Sequence, residues 1–142
     1  MSERRALEYC FKFKLDEAFA GSEYSIVESN RLEERPLPVI VIIAADARQA
    51  VDHPDAMDNF ITTIDLVIIS EFDEQTINGH TDTTDKCLRT ILKKDNRLKS
   101  NIKYLSLYDV TYLNQNTERE ARKIMTNITI EAKFHYNPYE EA

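Results

Sequence analysis

The chain has 142 residues and a mass of 16.5 kDa, enough for one domain with its own core and too short for two of ordinary size. Its 25 acidic and 18 basic residues leave a formal net charge of −7, so phosphate backbones repel the molecule as a whole, which argues against a free-standing nucleic-acid binder. Two glycines, Gly21 and Gly79, cannot build a glycine-rich phosphate loop or a dinucleotide fingerprint, and Cys10 and Cys87 form no CxxC pair, so no cofactor and no zinc site of those kinds is expected.

Leu7, Cys10, Phe11, Leu15, Ala18 and Phe19 recur at spacings of three and four and predict a first helix over 3–20, ended by Gly21. Tyr24, Ile26 and Val27 suit a short strand. Pro36 and Pro38 mark an extended approach to a long strand over 37–45, because proline lacks a ladder donor and is tolerated near strand starts and edges. The connection 46–59 is polar, rich in aspartate and free of glycine, so no two-residue turn is expected and it reads as a long, mobile hairpin arm. A second long strand covers 60–70. Asn78-Gly79 reads as a turn, and Asp82 and Asp85 as caps of a helix over 82–98 with Cys87, Leu88, Ile91, Leu92 and Leu98 as its apolar stripe. Lys93, Lys94, Arg97 and Lys99 then fall at its C-terminal end, where the helix dipole favours cations. Two more strands are predicted over 102–113 and 123–136, joined by the polar segment 114–122, and 137–142 reads as a flexible tail. The last strand alternates Ile124, Ile128, Ile130, Ala132, Phe134 and Tyr136 on one face with Asn127, Thr129, Glu131, Lys133 and His135 on a wet one.

The order helix, strand, strand, helix, strand, strand predicts a single α+β domain over 1–142, with a mainly antiparallel sheet packed against two helices. Both central strands are apolar on both faces: Val39, Val41 and Ile43 alternate with Ile40, Ile42 and Ala44, and Ile61, Val67 and Ile69 oppose Phe60, Ile64, Leu66 and Ile68. Two helices are too few to cover both faces, so a partner is expected to bury part of the sheet. The run 37–45 is half the length that crosses a bilayer and the N-terminal residues lack a signal-like apolar segment, so no membrane partner is expected. Cys10 and Cys87, each beside apolar neighbours in a predicted helix, read as small buried thiols.

Three constellations bear on chemistry. Asp52, His53, Asp55 and Asp58 could ring a hard cation, but without glycine the backbone cannot fold tightly round an ion, and a solvated hairpin tip is the plainer reading. Asp55 with Glu131-Ala132-Lys133 superficially matches metal-dependent nucleases, whose carboxylates must converge on a metal pair; an arm and a distant wet strand face do not predict that. Asp65, between Ile64 and Leu66, must be wet, paired with an arginine such as Arg89 or Arg122, or placed at a subunit boundary. Tyr104, Tyr108 and Tyr112 form a stripe suited to a half-wet packing surface rather than a platform for bases.

The run Leu37-Pro38-Val39-Ile40-Val41-Ile42 leading into a polar hairpin, the partner strand over 62–70, a helix beginning near His80, and a charged approach from Arg119 to a final alternating strand through Phe134 together resemble the tail-terminator and tail-completion proteins of tailed bacteriophages. The resemblance covers about Arg4 to Tyr136 and rests on pattern and order. It implies a non-enzymatic structural virion protein, assembled in the host cytoplasm as a ring, typically of six subunits, at the head-proximal end of the tail. Such a ring stops tube growth and joins tail to neck, with tail-tube and connector proteins as partners and DNA passing through unbound. On that reading Asn127, Thr129 and Glu131 are candidates for the channel lining, and Asp65, Asp52, His53, Asp55 and Asp58 for the subunit interface. The alternatives are another head-tail connector or neck adaptor, a cytosolic adaptor with an antiparallel sheet, and a small metal-dependent nuclease.

Overall fold

The structure, a computed structural model, describes residues 2–28, 37–46, 48–49, 59–73 and 77–139. In chain order it holds α1 (Glu3–Ala18), β1 (Ser25–Glu28), β2 (Val39–Ala44), β3 (Arg48–Gln49), β4 (Asn59–Glu71), α2 (Ile77–Leu92), β5 (Leu105–Glu120) and β6 (Lys123–Tyr136). The strands form one sheet in the order β1-β2-β4-β6-β5, with β3 paired to β4. Every pairing is antiparallel except β1 with β2. The expected α+β class and mainly antiparallel sheet are what the chain forms.

Each element starts where local chemistry allows it. Ser2 caps α1 by accepting from the Arg5 amide at 3.2 Å, and Phe19 closes it through Leu15, with Gly21 adopting the left-handed φ of 83° just beyond. The second helix begins five residues before the expected Asp82 and ends at Leu92. Asn78 and Gly79 lie in its first turn, where amides have no partner within the helix and poor helix formers are tolerated. Leu98 falls in the turn after the helix and is exposed, so it leaves the predicted stripe.

A larger departure is β5, which continues through the predicted connection 114–122 to Glu120 and meets β6 in a tight turn with Ala121 at φ 51°. Its distal half, 111–120, is exposed throughout and is held by the ladder to β6 rather than by burial. Two bulges interrupt that ladder at Tyr108 and Leu113. They shift the alternation, so Asp109 opposes Lys133 on one face while Tyr112 opposes Ile130 on the other, and Tyr104 precedes the strand at φ 64°. The three tyrosines therefore share no face.

Both helices pack on one side of the sheet. Ile40, Ile42 and Ala44 of β2, Ile64, Leu66 and Ile68 of β4, and Ile128, Ile130, Ala132 and Phe134 of β6 bury against Leu7, Cys10, Phe11 and Leu15 of α1 and Cys87 and Ile91 of α2. Each large aliphatic or aromatic side chain removed from water here contributes about 1.5–3 kcal/mol. The opposite face carries a smaller apolar cluster, Val27, Val39 and Val41 with Leu37, Ile43, Val67 and Ile69 packed against it, and among the described residues no helix joins it.

Candidate assembly surface

The helix-free face divides by strand. Toward β1 and β2 it is apolar. Toward β6 and β5 it is built of polar rows set by the register: Thr63, Glu131 and Thr111 in one, Asp65, Thr129 and Asn114 in the next, and Asn127 with Asn116 in a third that abuts the apolar Val67. Asp65 sits at the seam, flanked by Ile43 on β2 and Thr129 on β6, and accepts a 2.7 Å hydrogen bond from the Thr129 hydroxyl. That bond and partial exposure satisfy the carboxylate, so neither Arg89 nor Arg122 is its partner; Arg89 stands exposed on α2, which packs on the other face. Asp65, expected at a boundary, and Thr129, expected in a channel, are direct neighbours on one surface. Beside them the Asn127 Oδ1 is buried and, among the described residues, receives no hydrogen bond. A buried acceptor left open costs about 1–3 kcal/mol unless a further donor reaches it.

Asp52, His53, Asp55 and Asp58 lie outside the described residues, and so does most of the 46–59 arm; its described part includes β3, where Arg48 opposes Ile61 and Gln49 opposes Phe60. Glu131 stands half-buried between Thr63 and Thr111, and among the described residues no three His, Cys, Asp or Glu side chains gather as metal ligands.

Behind the sheet runs a polar chain that the apolar periodicity does not announce. The Tyr24 hydroxyl lies 2.7 Å from Ser70 Oγ, Ser70 Oγ 2.7 Å from His80 Nδ1, His80 Nε2 2.8 Å from Thr126 Oγ1, and Thr126 Oγ1 3.0 Å from Thr117 Oγ1. It ties the approach to β1, then β4, α2, β6 and β5 into one line. Ser70, His80 and Thr126 are buried, and burial pushes the imidazole below its ordinary pKa. Neutral His80 donates from one nitrogen and accepts at the other, so the chain is fully bonded without a charge. A serine beside a histidine invites comparison with a nucleophile and its base, but Nε2 meets a threonine hydroxyl where such a pair needs a carboxylate to hold the imidazolium, and Ser70 is already bonded to Tyr24. The arrangement bridges elements. It borders a cleft of about 600 Å³ with Phe19, Tyr24, Leu37, Pro38, Asp82 and Lys86 among its walls. A signal for it does exist in the sequence: Ser70 and Thr126 occupy the buried parity of their strands, where the neighbouring residues are Ile68 and Ile128.

Two other buried polar groups also position backbone. Glu8 of α1 accepts from the Ala44 amide at 3.0 Å where β2 ends, with Arg4 3.6 Å away. Lys14 of α1 donates to the Asn96 carbonyl at 2.6 Å and to the Lys99 carbonyl, fixing the segment between α2 and β5; burial holds its ammonium below the usual lysine range.

No family model matches the sequence, and no curated protein sequence matches it. Among solved structures the chain is similar in fold to one described as the virion of native gene transfer agent (GTA) particle, with a TM-score of 0.61 and 9% identity over 92% of this chain and 96% of that chain. At that identity the likeness is one of fold, over most of the length of both chains.

Proposed function

We propose that the chain is a structural subunit of a tailed-phage-like virion, forming a ring, six-membered as the resemblance implies, at the head-proximal end of the tail, where it ends tube growth and joins tail to neck. The observation that carries this reading is the near end-to-end fold likeness to a chain of a gene transfer agent virion. A terminator and a neighbouring neck adaptor share that support, and the head-proximal position rests on the sequence resemblance alone. The helix-free face fits the role in two parts: its apolar half, Val39, Val41, Ile43, Val67 and Ile69, suits contact with a neighbour, with Asp65 at the border. Its polar half, with Asn127, Thr129 and Glu131, suits a wet channel that DNA traverses without sticking. No reaction is assigned to the chain, and its proposed location is the virion. Light scattering on a gel-filtration column and negative-stain imaging, of the protein alone and mixed with tail tubes, should show a ring with a central hole. A strict monomer under both conditions overturns the proposal.

A further inference from the structure

Two pairs of large apolar side chains stay exposed, one on the helix layer and one on the edge strand: Phe13 with Leu98, and Tyr112 with Leu113, all four between 42% and 48% exposed. Phe13 lies beside Cys10, one turn on along α1, and Leu98 lies between Asn96 and Lys99. Lys14 Nζ holds the Asn96 and Lys99 carbonyls, and Cys10 Sγ approaches the Lys99 carbonyl at 3.8 Å, so both side chains border the seam between α1 and the turn after α2. The Asn96 side chain donates to the Thr90 carbonyl at 2.7 Å and fixes that turn from inside. Lys94, Arg97 and Lys99 stand exposed on it, with no ion pair among the described residues. On β5, Tyr112 opposes Ile130 and so points to the helix side, Leu113 is the bulge residue next to it, and Asp109 and Glu118 flank the two along the strand.

We propose that the Phe13–Leu98 surface of one subunit docks the Tyr112–Leu113 edge of the next copy, apolar pair on apolar pair, with Lys94, Arg97 and Lys99 toward Asp109 and Glu118. The topology supports contact between copies. The first helix packs over β1 and β2, at one end of the strand order, and β5 is the edge at the other end. The two surfaces also match in level along the strands. Glu8 of α1 bonds the Ala44 amide, Ala44 opposes Ile64, Ile64 opposes Ile130, and Ile130 opposes Tyr112. Phe13 follows Glu8 by about 7.5 Å along the helix. A closed ring joins two different patches of one chain, and one apolar pair toward each edge of the sheet meets that need. An apolar centre within a charged rim is the makeup of a protein interface, and opposite charge on the two rims disfavours pairing of like surfaces. Phe13 and Leu98, standing beside the cations, suit a protein partner better than a phosphate backbone. The bulge at Leu113 breaks the backbone row, so side chains rather than an added strand make the contact. This inference rests on the ring reading above.

The test uses the full chain with introduced cysteines, since Cys10 and Cys87 are both buried and the wild type serves as the unlinked control. Leu98→Cys and Leu113→Cys, mixed as single variants and treated with a short bis-maleimide, should give a linked heterodimer, and the double variant a ladder ending in a covalently closed ring. In parallel, Lys94→Glu with Arg97→Glu and Lys99→Glu, shown by thermal melt to be folded, should lose the ring species, and adding Asp109→Lys and Glu118→Lys to the same chain should restore it. Where a charge variant fails to fold, the cross-link decides. Rings in the wild type without that cross-link overturn the docking and leave the ring standing; a wild type without rings, alone and with tail tubes, overturns both. A double variant that closes within one chain, or Leu98→Cys that links only to itself, likewise overturns the docking. Duplex DNA retained by the wild type and lost on the triple reversal reassigns the cations to phosphate and overturns it too.

Discussion

At the scale of single residues, His80 is expected to contribute an acid response to the fold. Its imidazole is bonded at both nitrogens, and burial holds its pKa below the ordinary 6.5, which favours the neutral form at neutral pH. The folded state therefore binds a proton less readily than the unfolded chain, so the stability it contributes is complete above about pH 6.5 and is lost as pH falls through the folded value. Thermal melts should show Tm declining below that pH, and His80→Asn should flatten the decline while costing about 1–3 kcal/mol at neutral pH through the broken chain to Ser70 and Thr126. An unchanged profile in the variant would assign the acid response to other groups. The cysteines make a second case. Burial pushes the Cys87 thiol up to about 12 and raises Cys10 as well, so thiol reagents should label both only at the rate of unfolding, read by mass spectrometry against a denatured control.

At the scale of elements, the loop after α2 owes its shape to a lysine from α1. Lys14→Met keeps the aliphatic stem and removes the donor, leaving the Asn96 and Lys99 carbonyls short of a partner; the expected cost is about 1–3 kcal/mol, with hydrogen exchange rising over 93–103 and little altered in β4. The edge strand β5 shows a different device. Beyond Leu113 its outer half is polar and exposed, and the bulges at Tyr108 and Leu113 break the regular row of backbone groups that would otherwise template pairing with another chain. Within the core, Leu66→Ala should cost about 2–5 kcal/mol in denaturant unfolding, because the residue is fully buried in the cluster shared by both helices and three central strands.

At the scale of the whole molecule, two helices on one face leave the other face divided between apolar and polar halves, and that division motivates the proposed contact and channel. If Asn127, Thr129 and Glu131 line the channel, assembled wild-type rings should not retain duplex DNA, and Glu131→Lys should introduce retention that falls steeply with salt. Tight binding by the wild type would remove those residues from the channel lining. Such a lining also bears on Asn127, whose buried Oδ1 would gain its missing donor from water or a neighbouring chain on assembly.

The alternation of β6 and the two-faced apolar runs of β2 and β4 made the class of fold and the inward parity of the sheet legible from sequence, since a period of two fixes which residues share a face. The first helix and the buried state of both cysteines were legible for the same kind of reason. The extension of β5 through 114–120 was not, because that stretch buries nothing and is held by hydrogen bonds to β6, which leave no hydrophobic pattern. Nor was the start of α2 at Ile77, where an Asn-Gly pair reads locally as a turn and the helix is held by packing further along. The partner of Asp65 depended on register, and the line from Tyr24 to Thr117 joins residues up to 46 positions apart that only the packed sheet and helix bring within hydrogen-bond reach. Sequence by itself determined which faces are apolar and where charge is concentrated; tertiary structure decided which polar groups meet and which face the helices leave open, because both are set by the pairing of distant strands.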